Sequence, residues 1–158
     1  MTNQELLLKT AYECRGKIIQ LVTEMEVMID KFIAEYFIKD EDKQTELINL
    51  IISSQIGLLA KKSIFEYILY QNKENKQEDI KKLIKNIDAI ITERNVFAHW
   101  PVSLSIESET LFIKEQKLTF VKLNRGKHNG VWKLGFEKPF SESQMNLLIR
   151  CIDGVNKT

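Results

Sequence analysis

An apolar repeat along residues 4–38 is the strongest constraint on the fold of this chain. Apolar side chains recur there at alternating spacings of three and four residues: Leu7, Ala11, Cys14, Ile18, Leu21, Met25, Met28, Phe32 and Tyr36. That spacing places them on one face of an α-helix. A second row (Val22, Ile29, Ile33, Phe37) widens the face. We therefore predict one long helix that serves as the spine of a bundle or as a dimer interface.

Two more helical patterns follow after a charged break at residues 39–43. Residues 44–72 carry apolar side chains at helical spacing, with a kink or short break expected near Ser53-Ser54 or Gly57. Residues 72–77 are polar and lack periodicity, so they predict a loop. Residues 78–99 form the third pattern. Helices with such short connections pack as antiparallel neighbours.

The pattern changes to a period of two after Pro101. Val102, Leu104 and Ile106 alternate with polar residues, and apolar runs recur at 111–113, 118–123 and 131–136, with a glycine-bearing turn at 124–130. This predicts a small antiparallel β-meander over 102–137. Ser141 resembles a helix N-cap, with Gln144 three residues later, and begins a predicted last helix over 141–154.

The predicted fold class is mainly α. It is an antiparallel bundle of about four to five helices, with the helical part over 4–99 and the meander between the third helix and the C-terminal helix. The length of 158 residues favours a single domain, 1–158, with enough chain to bury a core.

Charge is distributed unevenly, although the net charge is only +1. Residues 24–46 hold eight acids and three bases, a balance of −5, and residues 114–138 hold seven bases and two acids, a balance of +5. Two solvated faces of opposite sign would explain this pattern. The functional interpretation is that the basic segment contacts RNA phosphates, and its candidate RNA-binding residues are Lys122, Arg125 and Lys127.

Several kinds of site are not expected. The two histidines, His99 and His128, and the two cysteines, Cys14 and Cys151, are too scattered to form a metal site, and no glycine-rich phosphate loop occurs. We therefore predict no metal and no cofactor. No signal peptide or membrane span is recognisable, and the cysteines are expected to be a reduced, buried pair in a cytoplasmic protein.

The stretch Glu93-Arg94-Asn95-Val96-Phe97-Ala98-His99-Trp100-Pro101 carries the candidate chemistry. Asn95 and His99 are four positions apart and share a helix face, and Arg94 continues the apolar stripe. Arg94 and His99 are about 7.5 Å apart along the axis, at about 1.5 Å per residue, so that both can reach one small anion. Arginine suits a phosphate, and histidine exchanges protons near neutral pH. Together they could cleave a phosphodiester without a metal.

Spacing alone also allows a structural role. A histidine in the last turn of a helix interacts favourably with the helix dipole, and Arg94 could pair with an acid such as Glu93 or with a partner helix. His128 lies at the tip of a predicted turn and is expected to be an exposed turn residue.

The segment from Arg94 to His99 resembles the signature of the HEPN superfamily (higher eukaryotes and prokaryotes nucleotide-binding domains). That signature is an arginine, four to six residues and a histidine, commonly with a polar residue directly after the arginine. This sequence has four intervening residues, with Asn95 in the polar position. The signature lies toward the end of a late helix, as here, and the resemblance covers residues 4–99 in outline. The meander is a departure from the minimal helical bundle.

The resemblance implies a metal-independent endoribonuclease that attacks through the 2′-hydroxyl and leaves a cyclic phosphate. It implies a homodimer in a toxin–antitoxin or antiviral-defence system, with RNA as substrate and an antitoxin or regulatory protein as a further partner. Arg94 would bind the scissile phosphate, His99 would transfer the proton and Asn95 would orient them. The alternative is a non-catalytic HEPN-like module that binds RNA, a nucleotide or a protein. A third hypothesis is a purely structural accessory protein in which Arg94 is an intramolecular ion-pair partner.

Overall fold

The chain is mainly helical, as its apolar spacing predicts. The structure, a computed structural model, describes the backbone of residues 2–128 and 131–141 and the side chains of residues 2–121. Its elements are α1 (Asn3–Phe37), α2 (Glu41–Leu47), a π-helix (Ile48–Ile52), α3 (Ser53–Gln55), α4 (Leu58–Gln71), α5 (Gln77–His99), α6 (Ile106–Glu115), β1 (Lys117–His128) and β2 (Val131–Ser141).

Helix α1 confirms the long helix that the repeat predicts. A reciprocal capping pair begins it: the Glu5 backbone N–H donates to Thr2 Oγ1 at 3.2 Å, and the Thr2 backbone nitrogen donates to Glu5 Oε2 at 2.6 Å. Most of the two predicted apolar rows is buried, including Leu7, Ala11, Ile18, Val22, Met25, Ile29 and Ile33. Tyr36 and Phe37 at its C-terminal end are exposed. Cys14 is half-buried rather than buried, and Cys151 lies outside the described residues.

The second helical pattern begins at Glu41, inside the expected charged break at 39–43, and is interrupted near Gly57, as the sequence predicts. Asp40 caps α2 by accepting from the backbone nitrogens of Asp42 and Lys43. The helix then widens into the π-helix and ends after Gln55, because Ile56 has an extended backbone. Gly57 precedes α4. The third pattern is confirmed as α5.

The prediction for residues 102–113 is wrong in part. Residues 106–115, which include the expected strand at 111–113, form helix α6. Ser105 is its N-cap and accepts from the backbone nitrogen of Ser108, while Gln116 ends it in the left-handed conformation with φ 52°. Ser108 and Phe112, four residues apart, are buried on one face. This local capping outweighs the alternation that favoured a strand.

Strands β1 and β2 form an antiparallel hairpin, with Lys117 opposite Ser141 and His128 opposite Val131. The strand β1 continues through residues that the sequence assigned to a turn at 124–130, with irregular register between Asn124 and His128. The larger β-meander is not confirmed. Ser141, the expected helix cap, ends β2, and the predicted helix over 141–154 otherwise lies outside the described residues.

Contacts group the chain into two compact units, and the single-domain assignment stays a prediction. Among the described residues, one unit contains 2–20 and those from 91 to 141, and the other contains 21–90. In the first, the described core includes Leu7, Ala11, Ile18, Val96, Phe97, Phe112, Leu118 and Phe120. In the second, it includes Met25, Ile29, Phe65, Ile68, Ile87 and Ile90. The candidate residues Arg94, Asn95 and His99 belong to the first unit.

Candidate functional site

The Arg94–His99 motif occupies the last turns of α5, where the sequence predicts it. Asn95 and His99 share one face of the helix, as their spacing of four residues predicts, and both are exposed. Arg94 is half-buried and follows Ile87 and Ile91, which are buried. The motif thus presents an amide and an imidazole to solvent, with a guanidinium at the edge of the apolar stripe.

The guanidinium of Arg94 contacts the side chain of the next residue. Its Nη1 donates a hydrogen bond to Oδ1 of Asn95 at 3.2 Å. Among the residues whose side chains the structure describes, no carboxylate forms an ion pair with Arg94, so the expected alternative of a pair with Glu93 is not one of its contacts. Because an arginine keeps its positive charge at all ordinary pH values, the motif holds a cation that no described acid neutralises.

The chain that follows His99 is fixed to the first strand of the hairpin. Val121 donates its backbone N–H to the carbonyl of Pro101 at 2.9 Å, and Ser103 donates to the carbonyl of Thr119 at 2.8 Å. Val102 forms an isolated antiparallel bridge with Phe120. The extended segment predicted at Val102 therefore exists, as a short bridge beside β1. It holds the exit of α5 in one place.

Aromatic packing adds a second restraint on the end of α5. The rings of Phe97 and Phe120 meet edge to face, with centroids 4.6 Å apart, and both residues are fully buried. Phe97 lies between Asn95 and His99 in sequence and points to the opposite side of the helix from them. The helix side opposite the exposed motif face therefore packs in a fully buried apolar contact.

Helix α1 contributes a contact that sequence analysis missed. Arg15 Nη2 donates to the backbone carbonyl of Trp100 at 3.2 Å. The carbonyls at a helix C-terminus lack partners within the helix and attract cations, which explains the position of Arg15. A contact between residues 85 positions apart leaves no local signal in the sequence.

The three proposed RNA-binding residues, Lys122, Arg125 and Lys127, all lie in β1. Arg125 and Lys127 were expected in a turn, and the extension of the strand corrects that placement. Their side chains lie outside the described part of the structure. Lys117, at the start of the same strand, forms an exposed ion pair with Glu115 at 2.5 Å.

The second unit contains a buried ionic cluster that the sequence analysis also missed. Lys61 Nζ lies 2.7 Å from Glu26 Oε1 and 3.0 Å from Asp30 Oδ2, and Ser53 Oγ donates to the same Asp30 oxygen at 3.0 Å. Lys61 is 1% exposed and Asp30 3% exposed. One signal was available, because Lys61 precedes Phe65 by four residues and Ile68 by seven, on the buried face of α4.

The protonation of this lysine follows from its two partners. Burial by itself lowers the pKa of Lys61, but hydrogen bonds and attraction from Glu26 and Asp30 outweigh it and raise the pKa above the ordinary 10.5. Lys61 is thus a positive charge held between carboxylates throughout the physiological range. That arrangement links α1, α3 and α4 and is structural in character.

A cavity of about 730 Å³ lies in the second unit, between the C-terminal part of α1, α4 and the start of α5. Apolar side chains such as Phe32, Ile68 and Leu83 line it, with Glu74, Lys76 and Asp79 among its polar residues. Arg94, Asn95 and His99 do not line this cavity. The candidate chemistry is therefore on an open surface rather than in this pocket.

The described residues offer neither a metal cluster nor a membrane span. No group of three or more histidine, cysteine, aspartate or glutamate side chains there could hold a metal ion. None of the helices in this part of the chain is both long and apolar enough to cross a bilayer.

No family model, curated protein or solved structure matches the chain. Its function is therefore inferred from the sequence of the motif and from its geometry.

Proposed function

We propose that the chain is a metal-independent endoribonuclease of the HEPN type, acting as a homodimer in the cytoplasm as a toxin or antiviral-defence effector. Arg94 binds the scissile phosphate, His99 transfers a proton, and Asn95 orients the guanidinium of Arg94. The resemblance of the segment from Arg94 to His99 suggests this activity, and the mainly helical fold agrees with it. RNA is the substrate, and an antitoxin or other regulatory protein is a further partner.

The state of Arg94 is the observation that carries the proposal. It is half-buried, bonded to Asn95 and unaccompanied by any described carboxylate, while His99 five residues later is exposed. A structural arginine at the edge of an apolar stripe gains most from an acid partner. An arginine that must bind a phosphate is better served by a neutral amide, because an acid would compete for the guanidinium.

The reaction needs one proton removed and one proton supplied. The 2′-oxygen of the RNA forms a bond to phosphorus as it loses its proton, and the bond from phosphorus to the 5′-oxygen breaks as that oxygen gains a proton. The products are a 2′,3′-cyclic phosphate and a 5′-hydroxyl. His99 handles one of these protons, and Arg94 stabilises the charge on the phosphate oxygens. In a homodimer, His99 of the partner subunit handles the other proton.

Cleavage of a mixed single-stranded RNA pool in EDTA tests the proposal. We expect the wild type to cleave, and Arg94→Ala and His99→Ala each to slow cleavage by about 10²-fold or more. His128→Ala is the matched control, since it removes the other histidine of the chain and is expected to cleave at the wild-type rate.

Cleavage by Arg94→Ala and His99→Ala at the wild-type rate would overturn the assigned roles. A wild type that binds RNA tightly but leaves it intact would identify the alternative, a non-catalytic HEPN-like binding module. Neither binding nor cleavage would leave the structural role of the motif as the remaining hypothesis.

A further inference from the structure

An exposed tyrosine and an arginine stand together on α1, in the unit that contains the motif. Tyr12 is 60% exposed. The guanidinium carbon of Arg15, three residues later, lies 5.8 Å from the centre of its ring. This spacing places both side chains on one face of the helix, and the distance is within the range of a cation–π contact.

Arg15 also connects this pair to the end of α5. The same guanidinium that lies over Tyr12 donates from Nη2 to the carbonyl of Trp100, the residue directly after His99. The Arg15 side chain therefore contacts both the Tyr12 ring and the backbone next to His99, the proposed proton-transfer residue. Arg15 thus links Tyr12 to the residue that directly follows the motif.

An exposed tyrosine alone would carry little meaning, because single exposed apolar groups are common. Tyr67 on α4 is 58% exposed and provides a comparison. Among the described side chains, a cation–π contact is found at Tyr12 and not at Tyr67. An open aromatic face beside an arginine is the combination that proteins use to stack the bases of single-stranded nucleic acid.

We infer that Tyr12 is a base-stacking residue for single-stranded RNA, with Arg15 as a positioning residue that holds the Tyr12 ring and the last turn of α5 together. This inference rests on the proposed ribonuclease function and deepens it. The Tyr12 ring takes an unpaired nucleobase next to the scissile phosphate. A base inside a duplex cannot offer its face to the ring, so the site selects single-stranded RNA.

Fluorescence anisotropy with a labelled single-stranded RNA tests the stacking directly, without requiring cleavage. We expect Tyr12→Ala to weaken binding about 10-fold to 100-fold, as loss of one stacked base does. Tyr12→Phe keeps the ring and should bind as the wild type does. Tyr67→Ala removes an equally exposed tyrosine from the other unit and should also bind normally. A duplex of the same sequence should bind the wild type more weakly than the single strand does.

A series of RNAs that each lack one base separates stacking from a general structural effect. The wild type should lose affinity at one or two abasic positions. Tyr12→Ala should show no loss at those positions, because the ring that detects the base is absent. In cleavage, Tyr12→Ala should raise KM and leave kcat nearly unchanged, since stacking stabilises the bound and transition states alike. Arg15→Gln should lower kcat, with partial rescue in Arg15→Lys.

Equal affinity and equal abasic sensitivity in the wild type and Tyr12→Ala would overturn this inference and leave the ribonuclease proposal intact. Binding of RNA by the wild type without cleavage would overturn the catalytic proposal alone, and the anisotropy series would still decide the role of Tyr12. A wild type that does not bind single-stranded RNA would overturn both.

Discussion

Lys61 and Arg94 are both cations on amphipathic helices, and their surroundings are opposite. Lys61 is fully buried and lies within 3.0 Å of two carboxylates, one of which also accepts from Ser53. Arg94 is half-buried and bonded to a neutral amide, with no ion pair to any side chain in the described range. Acids surround the cation that the fold buries, whereas the cation that we propose binds phosphate contacts a neutral amide.

The largest expected effect is on stability, at the buried cation. Lys61→Met leaves Asp30 buried without its counter-charge and should lower the free energy of unfolding by about 3–5 kcal/mol. The matched control is Lys62→Met. Lys62 forms an ion pair with Asp88 at 2.6 Å, and the side chain of Asp88 is 49% exposed to solvent. The control should cost only about 0–1 kcal/mol. Urea unfolding measures both, and equal losses would show that Lys61 is not the structural cation of the pair.

The second effect is on activity, at the half-buried cation. Arg94→Ala should reduce cleavage about 10²-fold to 10³-fold while changing the free energy of unfolding by less than about 1 kcal/mol. Arg94→Lys keeps the charge but loses the planar fork and should fall between the wild type and Arg94→Ala. A loss of stability as large as that of Lys61→Met would make Arg94 a structural cation as well and remove its contrast with Lys61.

A smaller expected effect is the pH dependence of the stability that Lys61 contributes. The pKa of Lys61 is raised in the folded state, so its stabilising contribution is complete below about pH 10.5 and is lost as the pH rises through the folded-state pKa. The difference in unfolding free energy between the wild type and Lys61→Met should therefore stay constant from about pH 6 to about pH 9 and shrink above about pH 10.5. A difference that grew with rising pH would contradict the assignment of Lys61 as the charged partner.

The smallest expected effect is on RNA affinity, and it tests whether the basic residues of β1 bind RNA together with Arg94. Replacing Lys122, Arg125 and Lys127 together with glutamine should weaken RNA binding and reduce the salt dependence of log K by about 0.7 for each RNA phosphate that is no longer neutralised. Titrations at several salt concentrations would measure the slope. An unchanged slope would confine the RNA-binding charge to Arg94 and its neighbours.

The sequence predicted the elements whose apolar spacing is regular and local. The two apolar rows that include Leu7, Ala11 and Ile18 predicted α1. Ile87 and Ile91 placed Arg94 at the edge of the buried stripe of α5. The position of Asn95 and His99 on one helix face follows from their spacing, whereas their exposure is seen only in the structure. The helical placement of the motif was thus available before the structure, because it depends only on the geometry of a single helix.

Other features depend on contacts that no local pattern contains. The alternation of Val102, Leu104 and Ile106 favoured a strand, yet the Ser105 cap and the buried pair Ser108 and Phe112 produce α6. The cluster of Lys61 with Asp30 and the contact of Arg15 with Trp100 join residues distant in sequence. Two adjacent lysines, Lys61 and Lys62, suggest exposed side chains. The apolar spacing of α4 shows that Lys61 lies on its buried face.

The chemical ends of the cleaved RNA decide whether the motif is a metal-independent ribonuclease site. Wild-type protein and His99→Ala are incubated side by side with single-stranded RNA in EDTA, and the termini of the products are determined. We predict that the wild type leaves 2′,3′-cyclic phosphate and 5′-hydroxyl ends and that His99→Ala leaves the RNA intact over the same period. Wild-type protein that leaves the RNA uncleaved, or identical cyclic-phosphate products from both proteins at equal rates, would contradict the proposed role of His99.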